Sequence, residues 1–211
     1  RHNAGPDACD SVRRSCSAVI CGGYPVSCVK SPGDHTTLES GAASATGVKR
    51  ALIKKGKPDT TVLVLAGDGG TYDIGLQALS SAAERNEDML YICFDNEGYM
   101  NTGGQKSSST PMSAVTGSTP AGKDTRKKNM LEILAAHRIP YVATASPSDL
   151  NDMAAKVEKA KGIKGTKVII ILIPWLPGWG VADNSAVKVA RMAVDSGVFP
   201  LFEIEGGLNY T

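Results

Sequence analysis

Several signals that would settle a protein's class early are missing from this sequence. No apolar run approaches the length of a membrane span, about 20 residues; Val168 to Ile173 is strand-sized. No signal-peptide pattern opens the chain, because Arg1 to Asp10 is polar. The chain has no initiator Met, so its true start is expected upstream. These absences give the expectation of a cytoplasmic protein with no membrane partner. An excess of one charge is also missing. The net charge of +2 gives no electrostatic reason to expect a nucleic-acid partner. Aromatic residues are only 5%, with no evident stacking platform, and there is no internal repeat. Five cysteines occur (Cys9, Cys16, Cys21, Cys28 and Cys93), but no C-x-x-C pair. That spacing is a poor match to zinc or iron–sulfur sites. Their odd number argues against a disulfide framework. Cys93 lies in an apolar run and reads as a core thiol.

What is present fits a globular enzyme. A chain of 211 residues can bury one sizeable core. Its 42% hydrophobic and 21% charged residues are ordinary for such a domain. The informative stretch is 61 to 105. Thr61 to Ala66 is a short apolar run rich in β-branched residues, which suits a strand buried on both faces. Gly67-Asp68-Gly69-Gly70 follows, where glycine permits unusual φ values and close approach of a ligand. Ile74, Leu76, Ala78, Leu79 and Ala82 have mostly helical spacing. Met89 to Phe94 is a second buried strand, ending in Asp95-Asn96-Glu97.

In open α/β sheets, ligands bind beyond the carboxyl ends of strands. Asp68 and Asn96 both stand at such ends. A carboxylate oxygen, an amide oxygen and a loop carbonyl are hard ligands. With two phosphate oxygens and a water they would complete an octahedral Mg²⁺ shell. The glycine turn and helix start favour an anion beside the metal. Taken singly, GDGG also suits an ordinary turn and Asn96 an ordinary cap. The spacing narrows this, because residues 70 to 95 separate Gly67-Asp68-Gly69 from Asn96. That is the thiamine-diphosphate motif of GDG, about 26 to 30 residues, then Asn.

The segment Asn96-Glu97-Gly98-Tyr99-Met100-Asn101-Thr102-Gly103-Gly104-Gln105 follows, then Ser109-Thr110-Pro111 and Thr119-Pro120-Ala121-Gly122-Lys123. From about His35 onward the sequence resembles the thiamine-diphosphate (beta) subunits of the 2-oxoacid:ferredoxin oxidoreductases, of the pyruvate:ferredoxin oxidoreductase kind. The resemblance implies a thiamine-diphosphate-binding fold and a magnesium ion held by Asp68, Asn96 and the Gly98 carbonyl. It implies that Gly67, Gly69 and Gly70 admit the diphosphate, and that Tyr99, Asn101 and Thr102 contact cofactor or phosphate. The implied reaction is oxidative decarboxylation of a 2-oxoacid, with coenzyme A as acyl acceptor and electrons passed to ferredoxin. No catalytic acid or base is assigned in this chain. The glutamate that activates the aminopyrimidine is expected from a partner subunit carrying the pyrimidine-binding (alpha-type) domain, beside other oxidoreductase subunits.

The sequence also departs from that family. Residues 1–34 lack its early C-x-x-C-G element and read as a divergent, truncated or frame-shifted segment ahead of a cofactor domain at 35–211. Only Ala18-Val19-Ile20 looks strand-like there. Cys21 matches the family's Ala-Thr-Gly-Cys segment poorly; Tyr24-Pro25, Lys30, Pro32 and His35 fit the next one. Relatives carry a cluster-ligating cysteine in the turn Pro174 to Gly180, where Trp175 stands. Tryptophan cannot ligate iron, which puts the [4Fe–4S] cluster in doubt for this chain. Two other readings therefore stay open: a non-oxidative thiamine-diphosphate decarboxylase or synthase subunit, and a degenerate, non-catalytic one.

Elsewhere the pattern alternates. Thr37 to Lys55 reads as a helix with Glu39 near its start. Residues 96 to 126 form a long hydroxyl-rich loop, either a lid over the site or a surface loop. Lys127 to His137 is an amphipathic helix, with His137 structural. Ile139 to Ala143 is a strand, and a helix after Ser146 buries Leu150, Met153, Ala154 and Val157. Val168 to Ile173 is a central strand. The helix Asn184 to Ser196 turns Val187, Ala190 and Val194 inward, and Leu201 to Ile204 is the last strand. This alternation predicts an α/β fold, a mainly parallel sheet flanked by helices.

Overall fold

Eight strands form one sheet in a computed structural model that describes residues 9–13, by backbone alone, and 33–211. The strands are β1 (Cys9–Arg13), β2 (Gly33–Thr36), β3 (Val62–Gly67), β4 (Met89–Asp95), β5 (Tyr141–Ala145), β6 (Thr166–Leu172), β7 (Glu203–Glu205) and β8 (Asn209–Tyr210). Their order is β2-β1-β3-β4-β6-β5-β7-β8. Pairing is parallel from β2 through β5, and antiparallel where β7 and β8 close the edge. The expected α/β class, a mainly parallel sheet flanked by helices, is what the structure has. The strand β1 has no counterpart among the expected elements; it inserts between β2 and β3. The expectations at Ala18 to Ile20, Cys21, Tyr24-Pro25, Lys30 and Pro32 lie outside the described residues.

The helices are α1 (Gly41–Lys54), α2 (Leu76–Glu84), α3 (Met130–Ala136), α4 (Leu150–Gly162) and α5 (Ala186–Asp195). Side chains of a strand alternate between faces, so each central strand feeds two cores. One core joins Val64 and Ala66 of β3, Tyr91 and Cys93 of β4, and Val168 and Ile170 of β6 to α1, α2 and α3. The other joins Ile92, Ala143, Ile169 and Ile171 to Ala160 of α4, with Met153 and Val157 against it. Each fully buried Ile or Leu there contributes about 2 kcal/mol. Strands β5 and β6 are buried throughout, as both-face coverage predicts. Strand β3 alternates buried with half-buried positions instead.

Several helix expectations need correction. The third helix begins at Met130, not Lys127, because the Asn129 side chain caps it by accepting from Glu132 N (3.3 Å). Lys127 is left outside the helix for another role. In α4, Leu150 is 63% exposed and Ala154 is also exposed; Met153, Val157 and Ala160 are the packed positions. In α5, Val187 is 58% exposed, while Ala190 is fully buried. Met153, Val157 and Ala190 face inward as expected; Leu150 and Val187 fail because each stands in a first turn that faces solvent. Glu39 falls before the first turn of α1, whose first turn holds no acid. His137 is structural as expected: it ends α3 and its Nε2 lies 2.9 Å from Ser80 Oγ. Among the described residues no helix is long and apolar enough to cross a membrane.

Candidate functional site

Strands β3 and β4 run parallel with Gly67 beside Phe94, so the chain leaves both strands at one place. Asp68 and Asp95 emerge there side by side. Asp68 begins a single π-helical turn, Gly69–Asp73, with φ −61° and ψ −43°. Such turns are rare and often mark functional sites. Thr71 Oγ1 donates to Gly67 O (2.8 Å) and lies 3.1 Å from Tyr91 Oη, which fixes the turn to β4.

The glycines do not serve the turn by unusual φ; none of Gly67, Gly69 and Gly70 has a positive value. Their need is space. A Cβ on Gly69 would lie 2.2 Å from the Tyr99 ring, and one on Gly70 would lie 2.9 Å from Leu38 O. The side-chain positions of both are therefore filled by protein, and only their backbone is left for a ligand.

Asp68 is 3% exposed. Its Oδ2 accepts from Ser107 Oγ at 2.5 Å. The other oxygen, Oδ1, lies 3.0 Å from the end of the Asn96 amide, and that same end lies 2.8 Å from Gly98 O. If the amide nitrogen is there, it donates to both oxygens. If the amide oxygen is there, three oxygens converge with no proton between them, an arrangement that a cation must hold together. Ligands about 2.1 Å from Mg²⁺ at right angles are about 3 Å apart. The Asn96 amide thus lies from both Asp68 Oδ1 and Gly98 O at the spacing of neighbouring ligands of Mg²⁺. Burial, and then the charge of Asp95, push the Asp68 carboxyl up to about 7, against the Ser107 hydrogen bond. A cation at Oδ1 would reverse that shift.

The neighbouring carboxylate differs. Asp95 is fully buried and well supplied with donors. Its Oδ1 accepts from Ser109 Oγ (2.5 Å) and Glu97 N (3.1 Å). Its Oδ2 accepts from Tyr72 Oη and Lys127 Nζ, both at 3.1 Å. Lys127 also bridges to Glu97 Oε1 at 2.9 Å. Burial opposes the charge on Lys127, yet the two carboxylates outweigh it and raise its pKa. Glu97 is shifted upward by burial, with Lys127 opposing. Asp95 is therefore a satisfied structural anion, whereas Asp68 has the Ser107 hydroxyl on Oδ2 and turns Oδ1 toward Asn96.

The other expected site residues divide. Tyr99 lies over Gly69, and its hydroxyl donates to Asp73 Oδ2 (2.8 Å). Burial, then Asp73, push its pKa upward, so it remains a donor. Asn101 and Thr102 are exposed in the turn after Met100, and the Thr102 side chain bonds Gln105. Sequence reasoning missed Asp95, Tyr72, Ser107, Ser109 and Lys127. Asp95 stood next to Asn96, and the serines stood in a loop already marked by its hydroxyls, but nothing in the spacing paired them. Ser107, Ser109, Thr110 and Lys123 are buried, so this stretch is a fixed wall of the site. Beside Gly98 a cavity of about 520 Å³ opens between that wall and the indoles of Trp175 and Trp179. Cys93 is a free thiol, fully buried, and burial pushes its pKa well up, as a core thiol should show. Among the described residues no three His, Cys, Asp or Glu side chains group as metal ligands.

A parallel sheet whose strand ends present an acid, an amide and a carbonyl to one point defines the thiamine-diphosphate-binding class. Known proteins agree. Residues 16–171 match the family described as thiamine pyrophosphate enzyme, C-terminal TPP binding domain. Pyruvate synthase subunit PorB of Methanocaldococcus jannaschii is 46% identical over 216 residues, covering 97% of this chain and 72% of that protein. Ketoisovalerate oxidoreductase subunit VorB of Pyrococcus abyssi is 45% identical over 202 residues, covering 91% and 65%. In structure the chain is similar to 2-oxoglutarate:ferredoxin oxidoreductase from Magnetococcus marinus, solved with 2-oxoglutarate, coenzyme A and succinyl-CoA bound. The TM-score is 0.75 at 25% identity, over 90% of this chain and 60% of that one. The chain belongs to the thiamine-diphosphate-binding (beta) subunits of the 2-oxoacid:ferredoxin oxidoreductases.

Proposed function

We propose that this chain holds thiamine diphosphate through Mg²⁺ within a complex that oxidatively decarboxylates a 2-oxoacid such as pyruvate, passing the acyl group to coenzyme A and electrons to ferredoxin. The observation that supports the reading is that one end of the Asn96 amide lies 3.0 Å from Asp68 Oδ1 and 2.8 Å from Gly98 O. The donor set is hard and oxygen-only, which suits Mg²⁺. When bound, thiamine diphosphate supplies a stabilised thiazolium carbanion, the chemistry that loss of CO₂ from a 2-oxoacid needs. This chain's own residues then bind and orient. Asp68, held by Ser107, Asn96 and the Gly98 carbonyl are the metal ligands. The backbone of Gly67, Gly69 and Gly70 borders the diphosphate, and Tyr99 keeps the turn closed over Gly69. Asn101 and Thr102, exposed here, face the cofactor only once partner or cofactor is in place.

Among the described residues none near Asp68 is suited to activate the aminopyrimidine, so an alpha-type subunit with a pyrimidine-binding domain is proposed to complete the site. The cavity between Gly98 and Trp175 is where the 2-oxoacid would enter. The test is calorimetric titration with thiamine diphosphate and Mg²⁺, beside Asp68→Ala. Binding that needs the metal and is lost in the variant is expected. Equal binding with and without Mg²⁺, or in the variant, would overturn the metal assignment. Failure to bind even after addition of an alpha-type partner would overturn the cofactor reading.

A further inference from the structure

Behind Ser107, on the other side from Asn96 and Gly98, one cavity carries an excess of positive charge. It measures about 440 Å³ and is walled by Lys106, Lys123, Arg126 and Lys128, with Asp73, Ser107, Ser108 and Thr125. It shares no lining residue with the cavity beside Gly98 and Trp175. Four cations meet one lining carboxylate there, Asp73, with Asp124 near enough to act on Lys123 as well. Asp73 is already engaged, accepting from Tyr99 Oη at 2.8 Å and from Ser108 N at 3.2 Å.

Lys123 makes the cavity unusual. It is 4% exposed, yet its ammonium donates only to neutral carbonyls, Thr110 O (2.6 Å) and Ser108 O (3.4 Å). Lys128 likewise donates to the Tyr72 carbonyl. Among the described residues none of the four cations forms a salt bridge. Elsewhere the fold answers each buried ammonium with a carboxylate: Lys49 and Lys167 share Asp88, and Lys156 has Asp152. A buried charge without a counter-charge is costly. Burial, and then the charge of Lys106, hold the Lys123 pKa down, and an arriving anion would relieve both.

We propose that this cavity is a second anion site, which takes the phosphoryl group of a phosphate-bearing ligand without a divalent metal. The word second rests on the cofactor site proposed at Asp68. A phosphoryl dianion suits the excess of cations better than a single carboxylate does. The Arg126 guanidinium offers a fork, Lys106 and Lys128 offer point charges, and Ser108 and Thr125 offer hydroxyl donors. Ser107 stands between the two sites. Its hydroxyl is committed to Asp68 Oδ2, while the cation-facing oxygen of Asp68 is Oδ1.

The experiment is calorimetry on the full chain in EDTA with three probes: inorganic phosphate, inorganic diphosphate and adenosine 3′,5′-bisphosphate. Binding should persist without divalent metal and weaken as salt is raised. It should weaken about tenfold or more in a Lys106→Ala, Arg126→Ala double variant, two exposed positions whose loss leaves the fold intact. Saturation with thiamine diphosphate and Mg²⁺ should leave it unchanged. Tighter binding of the bisphosphate than of either inorganic probe assigns the site to a nucleotide; equal binding assigns it to free phosphate. Absence of binding by all three probes, full binding in the double variant, or displacement by thiamine diphosphate overturns the proposal. The cofactor reading fails separately, since its signature is metal-dependent binding lost in Asp68→Ala.

Discussion

The Ser107 hydroxyl donates to Asp68 Oδ2 at 2.5 Å, joining the wall of the long loop to the first residue after β3. This bond lowers the Asp68 pKa against burial and Asp95. It also fixes which oxygen faces Asn96. In Ser107→Ala, Asp68 should hold its proton more tightly and turn more freely. Mg²⁺ affinity at saturating thiamine diphosphate should fall about tenfold. A metal titration at neutral pH checks this; unchanged affinity would show that the hydroxyl does not orient the ligand.

Asp68 also predicts how stability varies with pH. Its folded pKa lies near 7, above the ordinary carboxylate value. Between those values the folded state binds a proton that the unfolded state has released. Stability from this group is therefore greatest below the unfolded value and declines as pH rises toward 7. With Mg²⁺ and thiamine diphosphate the trend should reverse, because the metal takes only the anion. Melting temperatures at pH 5 and pH 8, with and without the pair of ligands, read the sign directly. A ligand-induced gain no larger at pH 8 than at pH 5 would count against it.

Far from the site, Asp88 receives Lys49 at 2.9 Å and Lys167 at 2.7 Å, and both ammoniums are nearly buried. Asp88→Asn leaves two charges in the interior with one neutral acceptor. A loss of about 3 kcal/mol in denaturant unfolding is expected, with cofactor affinity unaltered in the folded protein.

Gly69→Ala should drive a methyl group into the Tyr99 ring, since its carbon would lie 2.2 Å from the nearest ring atom, far inside van der Waals distance. Overpacking of this kind costs about 1–3 kcal/mol. The added variant Tyr99→Ala should recover most of it, giving a favourable coupling in a double-mutant cycle. Independent, additive losses would mean that the ring had moved aside at little cost.

The sheet and the residues proposed to hold the metal are legible in the sequence because their signals are local. An apolar run, a glycine turn and one asparagine at a set distance name Asp68, Asn96 and Gly98 without tertiary knowledge. Their companions are not legible. Ser107 reaches Asp68 across 39 positions and Lys127 reaches Asp95 across 32, and no periodicity records such pairs. The apolar stripe after Lys127 has helical spacing and draws that residue into the helix on paper; the cap at Asn129 ends the extension. Leu150 and Val187 invite an inward reading because they are apolar, though each stands in a first helical turn that faces solvent.

Lys127 has a consequence for how the site can change over time. By bonding Asp95 and Glu97 it buckles the far end of the loop to its beginning; the proposed ligand Asn96 lies between the two bonded acids, and Gly98 is the next residue after them. The tip, where Thr116 and Thr119 face each other and Gly117 and Ser118 are in solvent, lies outside it. Lengthening a loop costs only about 0.6 kcal/mol per doubling. Insertions at the tip can therefore accumulate, reshaping whatever meets that rim, while Asn96 and Gly98 keep their spacing.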